Sequence, residues 1–221
     1  MRLLKFSGTP STEPQVLKTK RLLLRRPETD DFSQWASLRG RSAGFLRPFE
    51  PAWAQDELSK RAFKARLRRH ESDITSGRGI PWFLFLPAAD GDQCDTLVGG
   101  ITISHIRRGV SHSGTIGYWM GEPYAGQGFM SEAVCEVCKC AFDHHNLNRL
   151  EAATVLENER SQRLLRHCGF KEEGIARAYL KIADTWRDHR LFARLASDPI
   201  PDPLVNARST SCSDTVRPEI A

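Results

Sequence analysis

The chain has 221 residues, 40% of them hydrophobic, and a formal net charge of +5, which suits one domain with a sizeable core. Its longest apolar runs, such as WFLFL at 82–86, are far too short to cross a bilayer, which argues against a membrane partner. The opening stretch MRLLKFSGTPSTEPQV has no extended apolar region of the secretory kind, so a cytoplasmic protein is expected.

Residues 1–15 are rich in Ser, Thr and Pro and read as a disordered arm, with the body running over 16–197. RLLLR at 21–25 reads as a strand ended by Pro27. Thr29 or Asp30 then caps a helix carrying Phe32, Trp35, Ala36 and Leu38. FLRPFEPAW at 45–53, with two prolines and three aromatics, reads as an irregular packed loop. A second helix runs through Leu58, Phe63, Leu67 and Ile74 until Gly77 and Gly79 end it. Much of the positive charge sits there, in KRAFKARLRR at 60–69, which fits a polyanion-binding surface or a solvated helix face.

Strands are expected at 82–86, 96–106 and 113–120, with turns at Asp90-Gly91 and near Gly109. Met130, Ala133, Val134, Val137, Cys138, Ala141 and Phe142 then recur at threes and fours, the apolar stripe of a helix closed by His144, His145 and Asn146. A strand at 149–156 follows, then a short helix at 158–168 stopped by Gly169. Two strands, around 176–181 and 187–195, join near Ala183-Asp184. Residues 198–221 show no periodicity and read as a disordered tail. The sum is one mixed α/β domain without repeats or a linker. Its strand–helix–strand unit over 113–156 is compatible with two parallel strands. Periodicity does not give strand order.

Three of the six cysteines crowd into the helix at 128–143, a poor disulfide framework that suits a reducing compartment. Cys135 and Cys138 form a C-x-x-C with His144 and His145 behind it, but no second cysteine pair completes a zinc site. Buried thiols packing as small apolar groups are expected, and no metal.

YAGQGFMSEAV at 124–134 sets two glycines against the first turn of a helix. Glycine costs backbone entropy, so something should offset it. The first amides of a helix lack internal partners and sit in positive potential, and glycines let an anion approach them. A packing glycine at a tight strand–helix turn is the plain alternative. A dinucleotide fingerprint fails because Met130 and Ser131 follow, and the P-loop lysine is absent.

The segment resembles the pyrophosphate-binding turn of the GNAT superfamily of acetyl-CoA-dependent N-acetyltransferases. In its pattern, roughly Gln/Arg-x-x-Gly-x-Gly/Ala, Gly128 matches the central glycine, while Ala125 and Met130 depart from it. FLRPFEP, GYWMGEPYAGQGFMSEAV, VLENERSQRLLRHCGFKEEG and YLKIADTWRDHRLFARL resemble, in order, segments of the RimJ/RimL branch, over about residues 16–197. That branch acetylates protein N-termini, and the likeness is to RimJ above all. The resemblance implies a GNAT fold with a central mixed, mostly antiparallel sheet flanked by helices. It implies acetyl-CoA as co-substrate and direct transfer to an acceptor amine. The expected acceptor is a protein N-terminus, a ribosomal protein by analogy, with ribosome association beside it.

The resemblance also assigns residues. The amides of Gln127, Gly128, Phe129, Met130 and Ser131 would hold the diphosphate. Tyr118, Trp119 and Met120 would form the splayed strand that aligns the pantetheine arm, and Asn158 would bond that arm. Many relatives protonate the leaving thiolate with a tyrosine where Leu165 stands here, so Ser161 is chosen as the acid. Leu180 stands where the RimL-type glutamate base would be, so Glu122 is chosen as base, with Glu50, Glu157 and His105 as alternatives. A modest base suffices for an α-amine, which at pKa ≈ 7.7–8.0 is ~10% neutral at pH 7. On the residues alone, GYWM is also a buried aromatic strand, Asn158 and Ser161 are also a helix cap, and Arg163 and Arg166 read as solvated. Three alternatives stay open: a small amine or antibiotic as acceptor, a nucleic-acid- or ribosome-associated protein, and a CoA-binding chain without catalysis.

Overall fold

The computed structural model describes residues 16–88 and 94–199. The expected arm at 1–15, the Asp90-Gly91 turn and nearly all of the expected tail lie outside them.

Two short strands, β1 (Val16–Lys18) and β2 (Leu23–Arg25), form an antiparallel edge pair. Three residues are too few to show an alternation, so β1 is not legible in the sequence. The helix α1 (Phe32–Arg41) follows a 3-10 turn at Thr29–Asp31. The expected cap at Thr29 or Asp30 is displaced by Asp31, which accepts the Glu28 backbone N–H at 2.7 Å and pairs with Arg25. The segment read as an irregular loop contains a one-turn helix, α2 (Ala43–Leu46), and a 3-10 turn at Arg47–Phe49. Ser59 caps α3 (Lys60–Thr75) by accepting the Ala62 N–H.

β3 (Ile80–Leu86), β4 (Thr96–Arg107) and β5 (Ser113–Met120) form an antiparallel meander. Then come α4 (Phe129–Asp143), β6 (Arg149–Val155), α5 (Glu159–His167), β7 (Lys171–Ile182) and β8 (Thr185–Leu195). The eight strands make one sheet in the order β1-β2-β3-β4-β5-β6-β8-β7. Every neighbouring pair is antiparallel except β5 and β6, which are parallel as the strand–helix–strand pattern predicts.

Helices cover both faces, so β3 is apolar at every position rather than alternating. Leu84 packs with Val134, Val137 and Leu165 under α4 and α5, while Phe83 and Phe85 join Trp35, Leu38 and Phe63 under α1 and α3. Each fully buried side chain of this size is worth about 1.5–3 kcal/mol. Cys135 and Cys138 lie buried on the core side of α4, and burial pushes the Cys138 thiol up to about 12.

Candidate active site

β5 and β6 pair only through Ser113, Gly114 and Thr115 against Arg149, Leu150 and Glu151. Beyond that the strands part. A cavity of about 1010 Å³ opens in the gap, lined by residues 116–120 of β5 and 152–155 of β6. The right-handed twist of strands makes such parting cheap where only a few parallel pairs hold the strands together. At one end the cavity meets the N-terminus of α4, and at the other it meets α2, the start of α5 and the β7–β8 hairpin.

The α4 end has the geometry of an anion cradle. Gly128 holds φ +81°, a left-handed conformation that favours glycine, and starts the helix. The amides of Phe129, Met130 and Ser131 therefore lie in the first turn, without helical acceptors. Gly126, Gly128, Phe129, Met130 and Ser131 all line the cavity; Gln127 does not. The Gln127 side-chain amide donates to the Pro123 carbonyl at 2.9 Å, and the Gln127 backbone carbonyl accepts from Arg21 at 2.9 Å. Arg21 also bonds Glu132 at 2.6 Å and lies 4.3 Å over the Phe129 ring. The β1–β2 turn thus clamps the glycine turn from outside.

Tyr118, Trp119 and Met120 all line the gap. Trp119 seats against Gly100, where a Cβ would lie 2.5 Å from the indole nitrogen, so the close approach of β4 needs glycine there. The Tyr118 hydroxyl lies 2.7 Å from Ser161 Oγ. Burial raises the Tyr118 pKa while the bond to Ser161 opposes that rise, so the phenol stays protonated at neutral pH. Asn158 caps α5 by accepting the Ser161 N–H at 3.1 Å, which leaves its amide NH2 for the cavity. Capping and lining thus coexist at Asn158.

The four carboxylate and imidazole bases named from sequence separate cleanly. Glu122 lies exposed at the rim, on the cavity wall. Glu50 is also on the wall but is engaged three times: by both Arg39 nitrogens at 3.1 and 2.5 Å, and by the Trp53 N–H at 2.7 Å. Glu157 is off the wall and pairs with Arg187 at 2.6 Å. His105 is exposed in a bulge of β4, also off the wall. Arg163 reaches the wall, paired with Glu159 at 3.0 Å, and Leu180 lines it too.

Sequence reasoning misses Arg21, Arg39, Arg160 and His189. Arg39 is nearly buried, its guanidinium 4.6 Å from the Trp53 ring and 5.1 Å from Trp119. Arg160 lines the wall 5.5 Å from Phe45. His189 lines the wall from β8. Only the HRLFARL alternation of β8 hints that position 189 faces inward.

The sequence profile of the acetyltransferase (GNAT) domain matches residues 21–171, which carry the parted strands and the glycine turn. The chain belongs to the GNAT acetyltransferase family. It is 31% identical over 183 residues to the probable N-acetyltransferase YjcK of Bacillus subtilis, covering 83% of this chain and 98% of that one. It is 31% identical over 195 residues to the [ribosomal protein uS5]-alanine N-acetyltransferase of Escherichia coli, covering 88% and 98%. The structure of Mycobacterium smegmatis RimJ in complex with CoA-disulfide superposes with a TM-score of 0.73 at 30% identity, over 79% of this chain and 82% of that one. The GNAT fold with its mostly antiparallel sheet and the N-acetyltransferase class both hold, as the sequence motifs imply. None of the described helices is long and apolar enough to cross a membrane.

Proposed function

We propose that this GNAT domain transfers the acetyl group of acetyl-CoA to the N-terminal amine of a protein, with ribosomal proteins as the substrate class. One observation carries the reading: the gap between β5 and β6 runs without interruption from the glycine turn to the Tyr118–Ser161 hydroxyl pair. The helix amides at 129–131 suit a diphosphate, whose charge the α4 dipole favours. The β5 backbone that β6 no longer reaches suits the amide-bearing pantetheine arm. An amide donor aimed at the thioester oxygen is worth about 2.7–4 kcal/mol in sites of this kind. Asn158 orients the arm, and Ser161, backed by Tyr118, delivers a proton to the leaving sulfur. The relatives named as ribosomal-protein acetyltransferases support the acceptor class, which rests on analogy of name.

The acceptor end favours a peptide over a polycation. Phe45, Phe49, Leu180 and Ile182 make its walls apolar. Among the described residues the wall carboxylates are Glu50 and Glu122, and Glu50 is neutralised by Arg39.

The test is release of free thiol from acetyl-CoA with a panel of peptides differing in their first residues, small amines beside them. Release with free but not pre-acetylated N-termini is expected. Turnover of small amines alone would replace the acceptor class, and CoA binding without turnover of any amine would replace the activity.

A further inference from the structure

We propose that His189 is the general base that takes a proton from the acceptor ammonium. This assignment rests on the proposed N-terminal acetyltransferase function and sets a buried base against Glu122, which lies exposed at the rim. His189 is 2% exposed yet lines the cavity. It sits opposite Val155 on β6, at the level where β6 runs on to the Asn158 cap and Ser161. Its Nδ1 lies 2.9 Å from the Arg187 carbonyl oxygen. A carbonyl can only accept, so Nδ1 donates, and in the neutral tautomer that this bond selects Nε2 offers its lone pair. Among the described residues Nε2 has no hydrogen-bond partner, so it is the nitrogen left for a ligand in the cavity.

The neighbouring groups are engaged with one another and leave the ring open to the cavity. Across β7, the Tyr179 ring packs edge-on with its centroid 5.7 Å away. Beyond β6, Glu157 is bonded to Arg187, so these two charges oppose one another. On the strand itself, Asp188 is spent on the Ala178 N–H at 2.8 Å. Tyr118 and Ser161 share the cavity wall, and their hydroxyls stay protonated at neutral pH, so neither removes a proton from an ammonium. Glu50 is saturated by Arg39 and Trp53, which leaves His189 as the buried base on the acceptor side.

The step balances as follows. Nε2 takes one proton from the bound ammonium, leaving a neutral amine and an imidazolium. The amine nitrogen forms a bond to the thioester carbonyl carbon and the C–S bond breaks. The nitrogen loses its second proton and the sulfur gains one, with Ser161 Oγ as relay. The imidazolium returns its proton to solvent, so the net change is one ammonium and one thioester to one amide, one thiol and one proton.

Two variants test this. His189→Gln keeps a polar amide of similar length but cannot take a proton; His189→Ala leaves room for added imidazole. With a good peptide at pH 7, kcat of His189→Gln should fall about 10²-fold or more, with acetyl-CoA affinity unchanged by calorimetry. The deficit should narrow above the acceptor's own pKa of about 7.7–8.0, where the amine arrives neutral. Imidazole should restore activity to His189→Ala but not to His189→Gln. A His189→Gln enzyme within about threefold of wild type, or a loss uniform in pH and without imidazole rescue, overturns the assignment alone. A wild-type protein that acetylates no N-terminal peptide overturns it together with the proposed function.

Discussion

Gly128 shows how much one backbone angle decides here. A side chain at φ +81° costs about 1–2 kcal/mol, and a Cβ would also come 3.2 Å from the Arg21 guanidinium. Gly128→Val is therefore expected to fold, with a melting temperature lower by several degrees, and to bind acetyl-CoA about tenfold or more weakly through its distorted turn. Unchanged calorimetric affinity in the folded variant would move the diphosphate elsewhere. The Tyr118–Ser161 pair makes a second prediction. Burial keeps the phenol protonated, so both hydroxyls can pass a proton at neutral pH. Ser161→Ala should lower kcat about 10–100-fold, and adding Tyr118→Phe should cost little more, because a relay broken once is already broken. Additive losses in that cycle would mean two independent roles. Ser161 and Tyr118 were each legible in the sequence; their pairing was not, because a hydroxyl 43 positions away carries no local signal.

At the scale of elements, the β1–β2 turn and α4 depend on one another through Arg21. Glu132 is nearly buried, with 3% of its side chain exposed, and receives Arg21 and Thr19. Removing Arg21 would leave that carboxylate with Thr19 as its side-chain donor, a loss that typically costs about 1–3 kcal/mol. Arg21→Ala should therefore lose both stability and acetyl-CoA affinity, and a second change, Glu132→Gln, should recover stability but not affinity. Denaturant unfolding and calorimetry separate the two, and recovery of both would reduce Arg21 to a structural ion pair. Sequence periodicity gives α4, β5, β6 and α5 nearly to the residue, because each buries a regular stripe and glycine or asparagine stops it. It does not give α2, whose single turn runs straight into Pro48, or β1, which has too few residues. Arg21 stands in a run that reads as a strand, and only the fold sets it beside a helix 111 positions on.

At the scale of the whole molecule, the sheet is two halves held by three parallel pairs and the helices behind them. The motif order in the sequence conveys the family and even the parallel pair, but strand order and the point of parting depend on pairings too distant in the chain to read. Backbone groups of residues 116–120 and 152–155 facing the gap should exchange their amide hydrogens faster than their neighbours. Acetyl-CoA should slow exchange there and at 128–131 together, as measured by mass spectrometry. Protection confined to another surface would contradict a ligand spanning the gap. The Arg39 guanidinium has a further consequence. It stacks on Trp53 of the acceptor-side segment and on Trp119 of the parted strand while gripping Glu50. The segment after α2 and the parted strand thus share one rivet. An engineer who grafts a different α2 segment must carry this arginine, its carboxylate and both indoles as a unit, or the graft will loosen the parted strand along with the new segment.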